Sequence, residues 1–275
     1  MNADQPNDER QIPRNELQPR RDWLTPVLKF LALFAIVGLV IAMLLPAVRS
    51  SREAALRNSC FNNLKQIGLG LQNYASVNGH YPPAYTTDAA GNRLHSWRTL
   101  VLPYYGSSPL YPSIDLTKPW NDPANAKAAS AVVECYQCPS LAFDDPKSPL
   151  TTYLAVVTPE SAIRAANSRT PEELEKVAAN ALLVIDAPKE KAVHWMSPED
   201  ADETELSEML NSDNAQLQHA GSILLGLFAD YHVAAISKET DQAVLQAMLN
   251  ASPDATTSTE ESQTAQPTDA NDSPR

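Results

Sequence analysis

The chain has 275 residues and a formal net charge of -12, with 33 acidic and 21 basic side chains. The acidity is confined to the C-terminal part, because residues 197–275 carry 15 acidic but only two basic side chains. No basic patch with interleaved aromatic residues occurs in the chain, which argues against nucleic-acid binding.

The first structural signal is an apolar stretch, Leu24 to Leu45, that contains a single charge, at Lys29. About 20 helical residues cross a bilayer core, so we predict a transmembrane helix over residues 23–46. A cleaved signal peptide is less consistent with so long an apolar stretch behind 22 polar residues, and a buried core helix is less consistent with the lack of a polar face. Residues 1–22 are polar and are predicted to be a disordered tail.

An amphipathic helix is predicted directly after this span and ends at Asn78-Gly79. Gly68 and Gly70 lie inside it, and we favour close packing over a contact with a second subunit as their explanation. Its apolar positions recur every three or four residues. They are Leu56, Cys60, Leu64, Ile67, Leu71 and Tyr74.

Residues 47–250 are predicted to form one α+β domain in which this long N-terminal helix packs on an antiparallel sheet, as in a pilin. The predicted strands are Val132–Tyr136, Tyr153–Thr158, Ala181–Asp186, Ser222–Phe228 and His232–Ser237, the last two forming a hairpin. A helix from Pro171 to Ala179 starts at a capping box, and a closing helix covers Thr240–Asn250. The Ser-, Thr- and acid-rich residues 251–275 are predicted to be a disordered tail.

Three cysteines are an odd number, compatible with one disulfide and one free thiol. Cys135-Tyr-Gln-Cys138 has the spacing of a redox dithiol or half a zinc site, but it follows a predicted strand and runs into Pro139. A zinc site needs four ligands, and the sequence offers no second cysteine pair or close histidine pair. We therefore favour a structural role and expect no metal or cofactor.

The remaining polar motifs give no catalytic pattern either. His219 and Asp230 could form an acid–base pair, but no nucleophile motif accompanies them, and hydrogen-bonded structural histidines are the favoured interpretation. The acidic stretch from Glu199 to Asp213 lacks the spacing and the glycine of an EF-hand, so a solvated loop or short helix is expected there. Trp97, Trp120 and Trp195 are expected to be core anchors. We expect a non-enzymatic protein.

Longer motifs resemble a known family. LLPAVRSSREAALRNSCFNNLKQIGLGLQNY at Leu44, HSWRTLVLPY at His95 and PWNDP at Pro119 are followed by NALLVIDAPKEKAVHWMSPED at Asn180 and HAGSILLGLFADYHVAAIS at His219. They resemble, over about Leu24 to Ser237, the bacterial, planctomycete-type domain of unknown function 1559 family, whose members are pseudopilin-like with prepilin-type N-termini.

The resemblance implies a single-pass protein of the inner membrane, with its N-terminus in the cytoplasm and its domain on the periplasmic side. Related pseudopilin-like subunits are the implied partners. Because Cys60 and Cys138 occupy motif positions, it also implies a disulfide between them. The other motif positions are Asn62, Asn63, Lys65, Gln66, His95, Trp97, Arg98, Trp120, Trp195, His219 and Asp230.

The chain departs from the family pattern at two places. Leu24 and Lys29 stand where members carry a glycine before the cleavage point and a glutamate, so we expect an uncleaved, permanent anchor. Ten residues separate His219 from Asp230, one more than in the family's His-X9-Asp-Gly motif, and Tyr231 replaces its glycine. Since tyrosine tolerates positive φ poorly, we expect a different hairpin turn.

The leading functional hypothesis is a membrane-anchored structural or assembly component of the cell envelope or of a secretion-type system. One alternative is an envelope binding module that recognises a glycan or small solute through its Trp and Tyr loops. A CxxC thiol oxidoreductase is the other.

Overall fold

A computed structural model of the protein describes residues 24–105, 109–139, 145–177, 180–211 and 223–249. The chain divides into two compact units, Met1–Arg52 and Glu53–Arg275. The predicted tails, residues 1–22 and 251–275, lie outside the described residues.

The first unit contains the beginning of helix α1, Leu24–Asn78. Within it, the 19 residues Thr25–Met43 are long and apolar enough to cross a membrane, and none of this stretch is buried. A signal sequence near the N-terminus has the same length and apolar composition.

The second unit is built around a four-stranded antiparallel sheet. Its neighbouring strands are, in order, Tyr153–Ala155, Leu182–Asp186, Ile223–Phe228 and Val233–Ser237. The helices are α2 Trp97–Val101, α3 Ala126–Ala129, α4 Pro171–Val177, α5 Glu203–Asn211 and α6 Gln242–Leu249. The strands are β1 Tyr85–Thr87, β2 Arg93–Ser96, β3 Leu150–Thr151, β4 Tyr153–Ala155, β5 Leu182–Asp186, β6 Val193–His194, β7 Ile223–Phe228 and β8 Val233–Ser237.

Two apolar layers cover the two faces of this sheet. The C-terminal part of α1 belongs to one layer, in which Leu64 and Ile67 cluster with Leu183 and Leu227. Helices α5 and α6 belong to the other, which contains Leu206, Leu245 and Phe228. The predicted α+β class, with a long N-terminal helix on an antiparallel sheet, is confirmed.

The glycines of α1 allow close approach within the domain. An added Cβ at Gly70 would lie 2.3 Å from Tyr105 Cε1, and one at Gly68 would lie 3.0 Å from Leu227 Cδ1. Packing inside the domain therefore explains both glycines. The helix ends as predicted, with Gly79 at φ 78 and its N–H donating to the Ala75 carbonyl.

Most predicted elements of the domain are present, with shifted ends. The Thr170 hydroxyl accepts from the Glu173 N–H, and the Glu173 carboxylate accepts from the Thr170 N–H, which confirms the capping box at the start of α4. The strand prediction for Val132–Tyr136 is wrong, because Glu134–Tyr136 forms a 3₁₀ turn. In this turn, the Tyr136 hydroxyl donates to the Arg98 carbonyl.

The expectation of an altered hairpin turn is also wrong. Tyr231 takes the left-handed conformation, φ 65, and its N–H donates to the Phe228 carbonyl. This is the position that favours glycine in a three-residue hairpin loop. The tyrosine is held there by a 2.8 Å hydrogen bond between its hydroxyl and that of Tyr81. A tertiary contact thus compensates for the backbone preference.

Candidate functional site

The HSWR motif folds into the junction between β2 and α2. Ser96 caps the helix by accepting from the Arg98 N–H at 3.2 Å. The three residues that follow the cap, Trp97, Arg98 and Thr99, are completely or almost completely buried. Such a short helix is positioned by its neighbours and not by its own stability.

The Arg98 guanidinium is fully buried and donates to five acceptors. Its Nε donates to the Tyr153 carbonyl at 2.9 Å, and its Nη1 donates to Ser96 Oγ at 2.7 Å and the Ser197 carbonyl at 3.3 Å. Its Nη2 donates to the Glu199 carbonyl and to Asp200 Oδ1. Arg98 therefore joins α2 to β4 and to the segment that follows β6.

Asp200 is the acidic partner, with Oδ1 2.6 Å from Arg98 Nη2 and only 5% of its side chain exposed. Oδ1 also accepts from Trp97 Nε1 at 3.0 Å and from the Ala155 N–H at 2.8 Å. Burial raises the pKa of this carboxyl above its ordinary value, and the guanidinium and the two N–H donors oppose the rise. Among the described residues, its other oxygen, Oδ2, has no hydrogen-bond partner.

The position of Asp200 corrects the prediction of a solvated acidic stretch. Glu199 is exposed as expected, and the later residues form the predicted short helix α5, which starts at a capping box between Asp202 and Glu205, whereas Asp213 lies outside the described residues. Asp200 was missed as a structural residue. Its one signal in the sequence is its place in the SPED end of a family motif.

The motif histidine and tryptophans are core residues. His95 Nε2 donates to the Lys118 carbonyl at 2.8 Å, and burial lowers the pKa of this histidine. Trp195 Nε1 donates to the Ala131 carbonyl at 3.0 Å. Trp120 packs on the ring of His194, with centroids 4.5 Å apart. Trp97 and Trp195 are 0–1% exposed, so neither can form a ligand platform.

The motif positions of α1 divide between two faces. Asn63 points inward and donates to the Gln137 carbonyl at 3.1 Å and to the Tyr153 hydroxyl at 3.2 Å. Asn62, Lys65 and Gln66 are exposed, and the Lys65 ammonium lies 4.7 Å from the centre of the Phe61 ring. The motif thus combines a buried anchor with an open polar face.

His219, the residue expected to pair with Asp230, lies outside the described residues. Asp230 interacts with His232, because its Oδ1 accepts from the His232 backbone N–H at 3.1 Å and pairs with His232 Nδ1. The His232 ring stacks on Phe228, with centroids 4.5 Å apart. These contacts stabilise the turn of the β7–β8 hairpin.

The cysteines are grouped differently from the CxxC pattern. Cys60 and Cys138 lie together with Asp186, whereas Cys135 is not part of this cluster. All three cysteines are buried. Burial raises the pKa of Cys135 to about 12, the opposite of what a redox nucleophile needs. The disulfide between Cys60 and Cys138 stays a prediction, now with its two sulfurs close together.

A family comparison matches residues 49–181 to the family described as "Protein of unknown function (DUF1559)". This stretch belongs to the DUF1559 family. The resemblance found in the motifs is confirmed there, whereas the motifs before residue 49 and after residue 181 lie outside the match. Searches of curated proteins and of solved structures gave no match.

Among the described residues, a surface cavity of about 620 Å³ is lined by apolar residues together with charged and polar groups. Tyr85 and Arg93 form part of its wall, with the guanidinium carbon 4.1 Å from the ring centre. Arg164, Asn167 and Asp202 add further polar groups. The volume falls in the range of small-molecule sites.

Proposed function

We propose that this DUF1559 protein is a non-enzymatic, membrane-anchored, pseudopilin-like component of the cell envelope. The observation that carries the proposal is α1 itself. The side chains of the apolar stretch Thr25–Met43 are exposed among the described residues, and the same helix supplies the buried stripe of the domain. A helix that is apolar on all sides and uncovered needs a lipid environment.

The fate of the motif residues supports a non-enzymatic role. Arg98 and Trp97 both donate to Asp200, Arg98 also donates to backbone carbonyls, and His95 is buried. Catalytic groups have to reach a substrate, whereas these groups hold elements together. The proposal therefore treats the HSWR and SPED motifs as the structural centre of the domain.

Anchoring can be tested by extracting membranes with alkaline carbonate and by measuring the intact mass of the protein by mass spectrometry. We expect the protein to stay in the membrane pellet with its N-terminal residues retained. A Phe34→Arg variant, which places a charge in the middle of the span, should move into the soluble fraction, because such a charge costs about 3 kcal/mol at the helix centre. Leu69→Arg, on an exposed position of the domain part of α1, is the matched control. A mature protein starting near Thr25 would overturn the anchor.

Assembly is tested separately by crosslinking in intact membranes. We expect the protein to be captured with copies of itself or with related pilin-like subunits. The exposed positions Asn62, Lys65 and Gln66 suit photo-crosslinker incorporation, and Asn63, which is half-buried and bonds within the domain, gives a negative control. An anchored but purely monomeric protein would refute the assembly role and leave the anchor intact.

The cavity beside Tyr85 favours a second candidate, an envelope binding module for a small solute. Arg93 and Arg164 would bind a carboxylate or phosphate group, and Tyr85 would pack on an apolar part of the ligand. These side chains take the place of the tryptophan loops that were expected to bind a ligand, because Trp97 and Trp195 are buried. A thermal-shift screen of small anionic solutes tests it, with Arg93→Gln expected to abolish any hit. Arg169→Gln, whose side chain pairs with Glu160, serves as the control.

A further inference from the structure

Three metal-ligating groups converge in the interior of the domain. They are Cys60 Sγ from α1, Cys138 Sγ from the loop after the Glu134–Tyr136 turn, and a carboxylate oxygen of Asp186 at the end of β5. These atoms lie within 4.8 Å of one another. All three residues are 0% exposed. Elements far apart in sequence thus bring two thiols and a carboxylate to one point.

The spacing and the ligand types suit a zinc-like cation. Zinc binds Cys sulfur at about 2.3 Å in tetrahedral sites, so two sulfurs on one ion lie roughly 3.8 Å apart. The thiols of Cys60 and Cys138 are within hydrogen-bonding distance of each other, which is compatible with that separation. Asp186 adds an oxygen ligand of a type that zinc also accepts.

We propose that Cys60, Cys138 and Asp186 form a structural site for a divalent cation of the zinc class. The Tyr153 hydroxyl interacts with Cys60 and so lies beside these ligands. The bound ion would tie α1 to β5 and to the loop carrying Cys138. The inference concerns the domain alone, so it is independent of anchoring and assembly.

The surroundings provide the outer contacts that metal ligands usually have. Thr152 Oγ1 donates to Asp186 Oδ1 at 2.6 Å, and Asn63 Nδ2 donates to the Tyr153 hydroxyl at 3.2 Å. Such contacts orient the ligands and raise metal affinity. The family motif position Asn63 would then act one step away from the ion.

A disulfide between Cys60 and Cys138 is the competing interpretation, and it excludes the metal. The two interpretations differ in the part they give to Asp186, which is a ligand in the metal site and takes no part in a disulfide. Cysteine binds a metal ion as the thiolate, so a cation would have to displace thiol protons. We therefore expect metal binding to release protons and to strengthen as the pH rises.

The experiment uses the full chain purified in detergent without chelator. We expect metal analysis to find zinc bound at one ion per chain, and denatured protein treated with chelator to show three alkylatable thiols. Replacement of the ion by Co²⁺ should give a sulfur-to-metal charge-transfer absorption band. Cys138→Ser and Asp186→Asn should each weaken binding at least about tenfold. Cys135→Ser, which removes a buried thiol outside the cluster, is the matched control.

The wild-type chain provides a second test if the ligand variants fail to fold. Removing the ion with a chelator should lower the melting temperature, and adding Zn²⁺ back should restore it. A Cys60–Cys138 disulfide in the non-reduced protein as isolated would overturn the proposal. Metal binding of equal strength in wild type and in Asp186→Asn would also overturn the three-ligand site.

Discussion

Arg98 Nη2 lies 2.6 Å from Asp200 Oδ1 in a buried ion pair that joins residues 102 positions apart. Trp97 and the Ala155 N–H bond the same carboxylate oxygen. Two sequence motifs that lie far apart along the chain therefore form one structural unit, which links the short helix α2 to the edge strand β4.

Removing the charge of Asp200 should strongly destabilise the domain. Asp200→Asn leaves the buried guanidinium without its counter-charge, and breaking a buried ion pair from one side costs about 3 kcal/mol or more. Glu199→Gln is the control, because the side chain of Glu199 is exposed and only its backbone carbonyl bonds Arg98. Its effect should stay within about 0.5 kcal/mol. Urea unfolding followed by tryptophan fluorescence measures both, and similar losses in the two variants would contradict this role.

Adding a methyl group at Gly70 should also destabilise the domain, although alanine is the better helix former. The new Cβ would lie 2.3 Å from the ring of Tyr105, and overpacking of this kind costs about 1–3 kcal/mol. The gain in helix propensity is about 1 kcal/mol and offsets only part of that cost.

The matched control is Leu69→Ala, at the neighbouring and 57% exposed position. It should leave the free energy of unfolding nearly unchanged. A Gly70→Ala variant that is more stable than wild type, or that loses only subunit crosslinks, would restore the interpretation of Gly70 as a subunit contact.

The capping box of α4 gives a smaller expected effect. Thr170→Ala removes the oxygen that accepts from the Glu173 N–H and should lower the free energy of unfolding by about 1 kcal/mol. Glu172→Gln alters an exposed neighbour that makes no capping bond and serves as the control. Equal urea midpoints for Thr170→Ala and wild type would show that the cap contributes nothing to global stability.

The parts of the fold that could be predicted are those encoded by local periodicity. The stripe of α1 and the C-terminal hairpin follow from spacings of three or four residues and of two residues. The Val132–Tyr136 prediction failed because a short apolar run has no period that distinguishes a strand from a turn.

Long-range pairings left almost no local trace. Nothing near Asp200 in the sequence distinguishes it from its exposed acidic neighbours. The sequence around Asp186 indicates only that it is the polar end of a buried strand. Tyr231 shows the reverse case, in which a correct local rule was overridden by a hydrogen bond to Tyr81, 150 residues away. In the candidate metal site, the resemblance paired Cys60 with Cys138, but nothing in the sequence joined the distant Asp186 to them.

Acidification should destabilise the domain through its buried histidines. Burial lowers the pKa of His95 and of His194 in the folded protein, whereas a histidine of the unfolded chain has a pKa of about 6.5. Below that pH the unfolded chain binds protons that the folded chain does not. The free energy of unfolding therefore falls as the pH is lowered from about 6.5 toward the folded pKa values, with a limiting slope of about 1.4 kcal/mol per pH unit for each histidine. Urea unfolding at several pH values measures this slope.

His95→Gln should reduce the slope even if it lowers stability, because glutamine can still donate to the Lys118 carbonyl without titrating. An unchanged slope in His95→Gln would show that this histidine is not the titrating group.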